Sequence, residues 1–461
     1  MNHSHIAFTA LAAAMLAAPA LPVHADGKDQ LPTTAFTNLH VDSCTVQPRQ
    51  SAPKKERPID KIKKRLTIGG YGEAVMTRNF FSDSYLRYTD AASKKDSKGH
   101  GRFDLPHVVI FLGYDFGKGW SMGSEIEFEH GGTESAMEIE TEEAGEYESE
   151  IERGGEVALE QFWIQKSFCP EFNIKLGHII VPVGATNQHH MPTEFFGVYR
   201  PEGENTIMPC TWHETGVSLW GQAGDWRYEV LFISGLDSER FGAQSWIHDG
   251  SASPYEFKIA NNYAGAFRVD NTSIKGLRLS LSGYVGNSFN NTLMETNGSK
   301  YDGVKGTVTI GAFDFAYNDH NWIVRGNFDY GHLSDSYAIK GFNMNNMTNA
   351  SPSPKQLVAS DAIAAGIEAG YDFFSLSPKL RQKEQRFYLF GRYDYYDSMY
   401  KMERNAFSYD WCGRQRVAVG INYYPIRDIV IKGEYSIGLL RSKYNNEPGI
   451  SLGIAYSGFF L

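Results

Sequence analysis

The stretch Arg414–Leu461, RQRVAVGINYYPIRDIVIKGEYSIGLLRSKYNNEPGISLGIAYSGFFL, decides the fold. Val417, Val419, Ile421 and Tyr423 alternate with Arg416, Ala418, Gly420 and Asn422. After Pro425-Ile426-Arg427-Asp428 the alternation resumes with Ile429, Ile431, Gly433, Tyr435 and Ile437. A period of two on both sides of a tight turn predicts a hairpin. A third segment carries Ile450, Leu452, Ile454, Tyr456 and Phe460 on one side and Ser451, Gly453, Ala455 and Ser457 on the other. In a soluble sandwich the apolar face of such strands is the core. In a membrane barrel it meets lipid, and the small or charged face lines a wet lumen.

The rhythm of the connections separates the two. From Leu66 to Leu461 the alternation recurs in about sixteen segments, many near the 9–11 residues that a tilted strand needs to cross a bilayer. Short links such as 117–119, 169–171, 223–225, 319–321 and 425–428 alternate with long ones such as 81–104, 131–156, 183–212, 237–262 and 334–361. A sandwich has no reason to keep that order, whereas an outer-membrane barrel does, with its short turns in the periplasm and its long loops outside. Trp120, Trp226 and Trp322 each follow a short turn directly, where an indole suits the membrane interface. The expectation is an all-β, transmembrane, antiparallel up-and-down β-barrel of about 16 strands.

Composition agrees. The chain has 461 residues, 21% of them charged, with a formal net charge of −10, which argues against a nucleic-acid partner. Beyond residue 25 no apolar run reaches the roughly 20 residues of a membrane helix. Residues 1–25 read as a secretion signal, with an apolar stretch from Ile6 to Ala18 and Val23-His24-Ala25 as a cleavage site. Residues 26–64, rich in Pro, Lys and Thr, read as a periplasmic extension, and residues 65–461 as the barrel. Four cysteines are too few for a disulfide framework and lack zinc-site spacing. Of their pairings, only Cys44 with Cys169 and Cys210 with Cys412 would avoid crossing the bilayer.

The segments GGYGEAVMTRNF (69–80), LEQFWIQKSFCPEFNIKLGHIIVPVG (159–184) and VGINYYPIRDIVIKGEYS (419–436) resemble the phosphate-selective porin O and P family of Gram-negative outer membranes. The resemblance implies a sixteen-stranded, trimeric diffusion channel whose third loop folds into the lumen. It does not carry phosphate selectivity here, because the matching loop, residues 183–212, contains no lysine.

Giving the apolar parity to lipid turns Arg268, Arg278, Arg325, Arg392, Arg416 and Lys432 inward, along with Asp270, Asp329, Asp394 and Glu434. Glu125, Glu127 and Glu129 face inward from the third strand, and Glu194, Arg200, Glu202 and Glu204 lie on the third loop. The expected arrangement is an eyelet in which the loop acids face a basic wall across water, with a transverse field that orients solutes. The alternating glutamates Glu138, Glu140, Glu142, Glu146, Glu148, Glu150 and Glu152 read as a solvated acidic loop or a protruding hairpin. His189-His190 has no carboxylate at metal-ligand spacing, and neither a nucleophile elbow nor a phosphate loop occurs, so no enzyme, metal or cofactor is expected. The sequence points to a passive outer-membrane channel for small hydrophilic or ionic solutes, a homotrimer set among lipid and lipopolysaccharide. The other reading is a barrel with a closed lumen and a surface or adhesion role.

Overall fold

The computed structural model describes residues 65–84, 86–140, 148–253, 257–291, 299–345 and 357–461. The signal, the extension and Cys44 lie outside the described residues.

Sixteen strands follow one another as β1 Leu66–Asn79, β2 His107–Gly117, β3 Trp120–Glu140, β4 Glu148–Cys169, β5 Phe172–Ile180, β6 His213–Ala223, β7 Trp226–Ser234 and β8 Tyr263–Ile274. They continue as β9 Leu277–Asn287, β10 Thr307–Asp319, β11 Trp322–Leu333, β12 Asp361–Asp372, β13 Arg386–Lys401, β14 Gly413–Ile426, β15 Ile429–Gly438 and β16 Gly449–Phe459. Each pairs antiparallel with its chain neighbour, and β16 returns to β1 in a register running from Gly69 opposite Phe459 to Asn79 opposite Gly449. The sheet is therefore a closed, antiparallel, up-and-down barrel. A further strand of four residues, Gly101–Asp104, pairs with the end of β1 that β2 leaves uncovered, from Val75 opposite Asp104 to Arg78 opposite Gly101. The first long connection conceals that strand, because four residues are too short to show a period.

The alternation sorts side chains as the sequence pattern predicts. On β2, Val108, Ile110 and Leu112 are exposed on the outer face while Val109 and Phe111 are buried inside. On β16, Ile450, Leu452 and Ile454 face out. Trp120 (46% exposed) and Trp226 (53%) sit outward at the short-turn rim with Phe116, Phe168 and Phe172. This is the aromatic girdle of a membrane interface. Its turns are tight: Gly117, Lys118 and Gly119 all take positive φ, a conformation that favours glycine.

Of the two readings of the acidic segment after β3, the hairpin is the one seen: the two strands run on as a paired ribbon, with Glu134 opposite Gly154 and Glu140 opposite Glu148, while Glu142 and Glu146 lie outside the described residues. One feature departs from strict alternation. On β4 a bulge shifts the register between Glu125 opposite Gln161 and Ile126 opposite Leu159, so Glu160 and Gln161 both end up buried inside. An extra residue in one strand of a pair re-aims its neighbours.

The third loop is not the only segment that enters the lumen. The connection between β7 and β8 tucks inward, burying Leu236, Phe241, Trp246 and Ile247. The helix Ser336–Asn345 between β11 and β12 is tied to it by Asn343, whose amide donates to the Ser238 carbonyl at 2.9 Å, and buries Phe342 against Phe289 and Tyr301. The Trp246 indole donates to the Ala359 carbonyl at 3.1 Å and lies against Gly331, where a Cβ would sit 2.1 Å from the ring.

Cys169, Cys210 and Cys412 are free thiols, so the Cys210–Cys412 pairing that the topology would allow is not made. Cys412 is buried with its Sγ 3.5 Å from the Ala243 carbonyl oxygen, packed under the inward connection and not on an open rim. Cys169 is exposed at a short turn. A membrane-impermeant maleimide on intact cells should therefore leave all three unmodified, and should label Cys169 once the outer membrane is permeabilised. Labelling of Cys169 on intact cells would invert the orientation of the barrel.

Candidate functional site

The third loop, residues 181–212, passes through the barrel interior and first stabilises itself. Its short helices are α1 Ala185–Gln188 and α2 Glu202–Ile207. The Glu204 carboxylate accepts from the Ala185 and Thr186 backbone N–H groups, each at 2.7 Å, capping the orphan donors at the start of α1. Asn187 closes the base of the loop: its amide donates to the Val183 carbonyl at 2.8 Å and to that of Pro209 at 3.2 Å, and its oxygen accepts from Trp212 N at 2.7 Å.

The loop is then tied to inward side chains of the wall. Arg268 on β8 donates to the Gly184 carbonyl at 2.9 Å, and Ser282 on β9 accepts from Gly184 N at 3.0 Å. Glu368 on β12 accepts from Phe196 N at 3.2 Å, and Glu434 on β15 accepts from Val198 N at 3.1 Å. Lys432 Nζ donates to the carbonyls of Phe195 and Gly197 at 3.0 and 2.7 Å. Glu202 pairs directly with Arg416 on β14, and Thr77 on β1 donates to the Tyr199 hydroxyl at 3.2 Å. Phe196 stacks on Phe390 and lies over Gly370, where a Cβ would be 2.3 Å from the ring.

Arg268, Arg392, Lys432, Glu125 and Glu127 are buried on the parity opposite the apolar outer face, but the partners of the basic residues differ from the expected eyelet. Arg268 pairs with Asp270 at 2.8 Å and with Asp314 at 2.9 Å, and Arg278 reaches Asp314 at 3.0 Å. Arg325 pairs with Glu368, and Arg392 pairs with Asp394 at 2.9 Å. The cause is register: Arg325 stands opposite Glu368, which stands opposite Arg392, and Asp394 stands opposite Arg416. Acids and bases of this arc neutralise each other across neighbouring strands, so no separated basic wall faces the loop. Of the loop acids, Glu202 touches Arg416, Glu204 caps the loop's own helix, and Glu194 lies 3.1 Å from His189. Asp314 is the partner that the sequence reading missed; it sits on the inward parity of β10.

His189 thus does have a carboxylate beside it. Burial, together with Arg278 and Arg268, pushes its imidazole well below the ordinary value, so the ring is neutral. Its Nδ1–H faces Glu194, and Nε2 accepts from Arg278. The opposite arc is different. Glu73, Glu125, Glu127 and Glu129 share it with Glu160, brought in by the bulge, and Arg200 of the loop donates from Nε to the His190 carbonyl at 3.3 Å.

A closed sixteen-stranded barrel with aromatic rims and an inward third loop defines a porin-like transmembrane β-barrel by architecture. No family model matches the chain. Over 181 residues it is 29% identical to an uncharacterized protein of Aquifex aeolicus (strain VF5), a match that covers 39% of this chain and 35% of that protein's length. Among solved structures it is similar to the OmpF complex with daunomycin from Salmonella typhi, with a TM-score of 0.49 and 10% identity over 85% of this chain and 97% of that one. It is also similar to the outer-membrane channel DcaP of Acinetobacter baumannii, with a TM-score of 0.48 and 12% identity over 85% and 97% of the two chains. A loop-deletion mutant of OmpT from Vibrio cholerae gives a TM-score of 0.47 and 12% identity over 86% and 100%.

Two predictions follow from this anchoring. Lys432→Met leaves two loop carbonyls without their donor, at a cost of about 1–3 kcal/mol; chymotrypsin should then cut after Phe195 or Phe196 in folded protein, where the native barrel resists. The second concerns Asp237, at the start of the inward β7–β8 connection. Burial, with Glu239 beside it, pushes its carboxyl from an ordinary 3.8 up to about 7. Below its ordinary value the group is protonated whether or not the segment is seated; as pH rises to about 7 the buried carboxylate is increasingly penalised, and seating weakens. Hydrogen exchange of residues 238–250, corrected for intrinsic rates, should be faster at alkaline pH than at acid pH, and Asp237→Asn should flatten the difference.

Proposed function

We propose that this chain is an outer-membrane channel of narrow bore, passing small hydrophilic or ionic solutes. The observation that carries the reading is the third loop, seated inside the barrel and held by side chains of β1, β8, β9, β12, β14 and β15. A loop fixed in this way narrows a lumen at a defined height and surrounds what passes with paired charges. Residues 1–25 act in this reading as the secretion signal and residues 26–64 as a periplasmic extension. Phosphate selection gains no support: the third loop has no lysine, and Lys432 spends its hydrogen bonds on loop carbonyls.

The assembly in this reading is a homotrimer within lipid and lipopolysaccharide. The outward His178 and His213 touch each other, with Thr215 3.0 Å from His178, on a face otherwise lined by apolar side chains such as Leu176 and Leu219. Such a polar cluster suits a contact between protomers better than it suits lipid.

A second reading has its own support. The apolar packing of Phe241, Trp246, Ile247 and Ile339 in the lumen favours a barrel that stays closed and acts through its surface. Planar-bilayer recording of refolded protein separates the two. The channel should give discrete ohmic steps of low conductance, larger in a Trp246→Ala variant that loosens the packing. A silent membrane with insertion confirmed would overturn the channel in favour of the closed barrel.

A further inference from the structure

The acidic arc holds a cluster at the long-loop end of β2 and β3. His107 opens β2, and Glu127 and Glu129 lie on the inward parity of β3; the register sets His107 opposite Glu129 and Val109 opposite Glu127. Three side chains from two adjacent strands therefore converge on one face. His107 Nδ1 lies 2.9 Å from Glu127 Oε1 and 3.8 Å from Glu129 Oε1. One ligand atom from each of the three falls within 4.8 Å of the others, and Glu73 Oε1 lies 4.0 Å from His107 Nε2. Ligands at about 2.1 Å from a metal ion stand about 3.0–3.5 Å apart in right-angled or tetrahedral arrangements, close to the spacing already present.

A simple histidine–carboxylate hydrogen bond would need one acid, and this pocket has several. Glu125, one pleat along β3 from Glu127, is 0% exposed; one of its oxygens accepts from Gln161 and the other, Oε1, meets no donor. The bulge sets Glu160 beside it, also fully buried, sharing its oxygens between the Tyr71 hydroxyl at 3.2 Å and His190 at 3.6 Å. Glu73, Glu125, Glu127, Glu129 and Glu160 thus set five carboxyl groups on one arc of the wall, four of them buried. A buried carboxyl oxygen without a donor is costly unless a proton or a cation completes it. The way in is open, since the Glu129 side chain is 36% exposed and that of His107 17%.

We propose that His107, through Nδ1, binds one divalent metal ion of the zinc class together with Glu127 and Glu129 at the outer part of the lumen wall, with Glu73 facing the opposite ring nitrogen. Imidazole with carboxylates suits such an ion, whereas an all-oxygen set would suit calcium or magnesium. The site stands whether or not the lumen conducts, because binding is read in detergent without a membrane.

The test is equilibrium dialysis of Zn²⁺ against refolded full-length barrel after chelator treatment, with folding confirmed by heat-modifiable gel migration. The expected result is one zinc per chain, with affinity reduced about tenfold or more in His107→Gln and in Glu129→Gln. The partly exposed Glu129 supplies the second variant should the histidine change disturb folding. His178→Asn, which breaks the histidine pair on the outer face, should leave binding unchanged. No stoichiometric zinc, zinc retained in both lumen variants, or zinc lost in His178→Asn would each overturn the proposal.

Discussion

Once the lumen is packed with protein, each charge that points inward must find its counter-charge or a backbone dipole within reach. Water no longer screens it, and an isolated ion in such surroundings is heavily penalised. The wall from β8 to β15 meets this demand by register. Arg325, Glu368 and Arg392 stand in one cross-strand row, Asp394 serves Arg392 from two residues along the same strand, and Asp314 serves both Arg268 and Arg278. The same wall is directed at the third loop, where Lys432, Glu368 and Glu434 bind both ends of two alternate peptide groups, Phe195–Phe196 and Gly197–Val198. The wall and the loop are therefore one electrostatic unit. Removing a partner leaves a buried charge exposed to low dielectric, which costs more than the lost bond alone.

The barrel was legible in the sequence because its signal is repeated. Every strand writes the same two-residue period, and the short and long links give the two rims. The inward parity was legible for the same reason, since fixing lipid on one face fixes the lumen on the other. The pairing of charges was not, because alternation says which face a residue takes and nothing about its height opposite a neighbour. Arg325 and Glu368 meet only because β11 and β12 settle in one register among several that the pattern allows. The bulge at Glu160 was hidden for a related reason: an extra residue breaks the period locally and reads as noise.

The inward packing of the β7–β8 and β11–β12 connections did leave a trace. Phe241, Trp246, Ile247, Ile339 and Phe342 are large apolar residues within segments that length alone marks as surface loops. A loop that meets water has little reason to keep them, and their presence was the available sign that these connections fold inward. Gly331 and Gly370 are the matching marks on the wall, each leaving space for an aromatic ring from a loop. The Trp246–Gly331 contact could not have been paired from sequence, since it joins a loop to a strand four strands further along the chain.

The seam between β1 and β16 bears on how the molecule comes to be made. Its register joins residues near opposite ends of the described chain, and the ladder extends to Leu461, which exchanges hydrogen bonds with Ile68. Contacts of such long sequence separation are the slowest to form, because closing the intervening loop costs chain entropy before any bond repays it. Until then β1 and β16 present bare edges, and the outward aromatics meet water. Assembly is therefore a race between closure and clumping, in which a carrier that masks strand edges in transit matters as much as the final stability of the barrel.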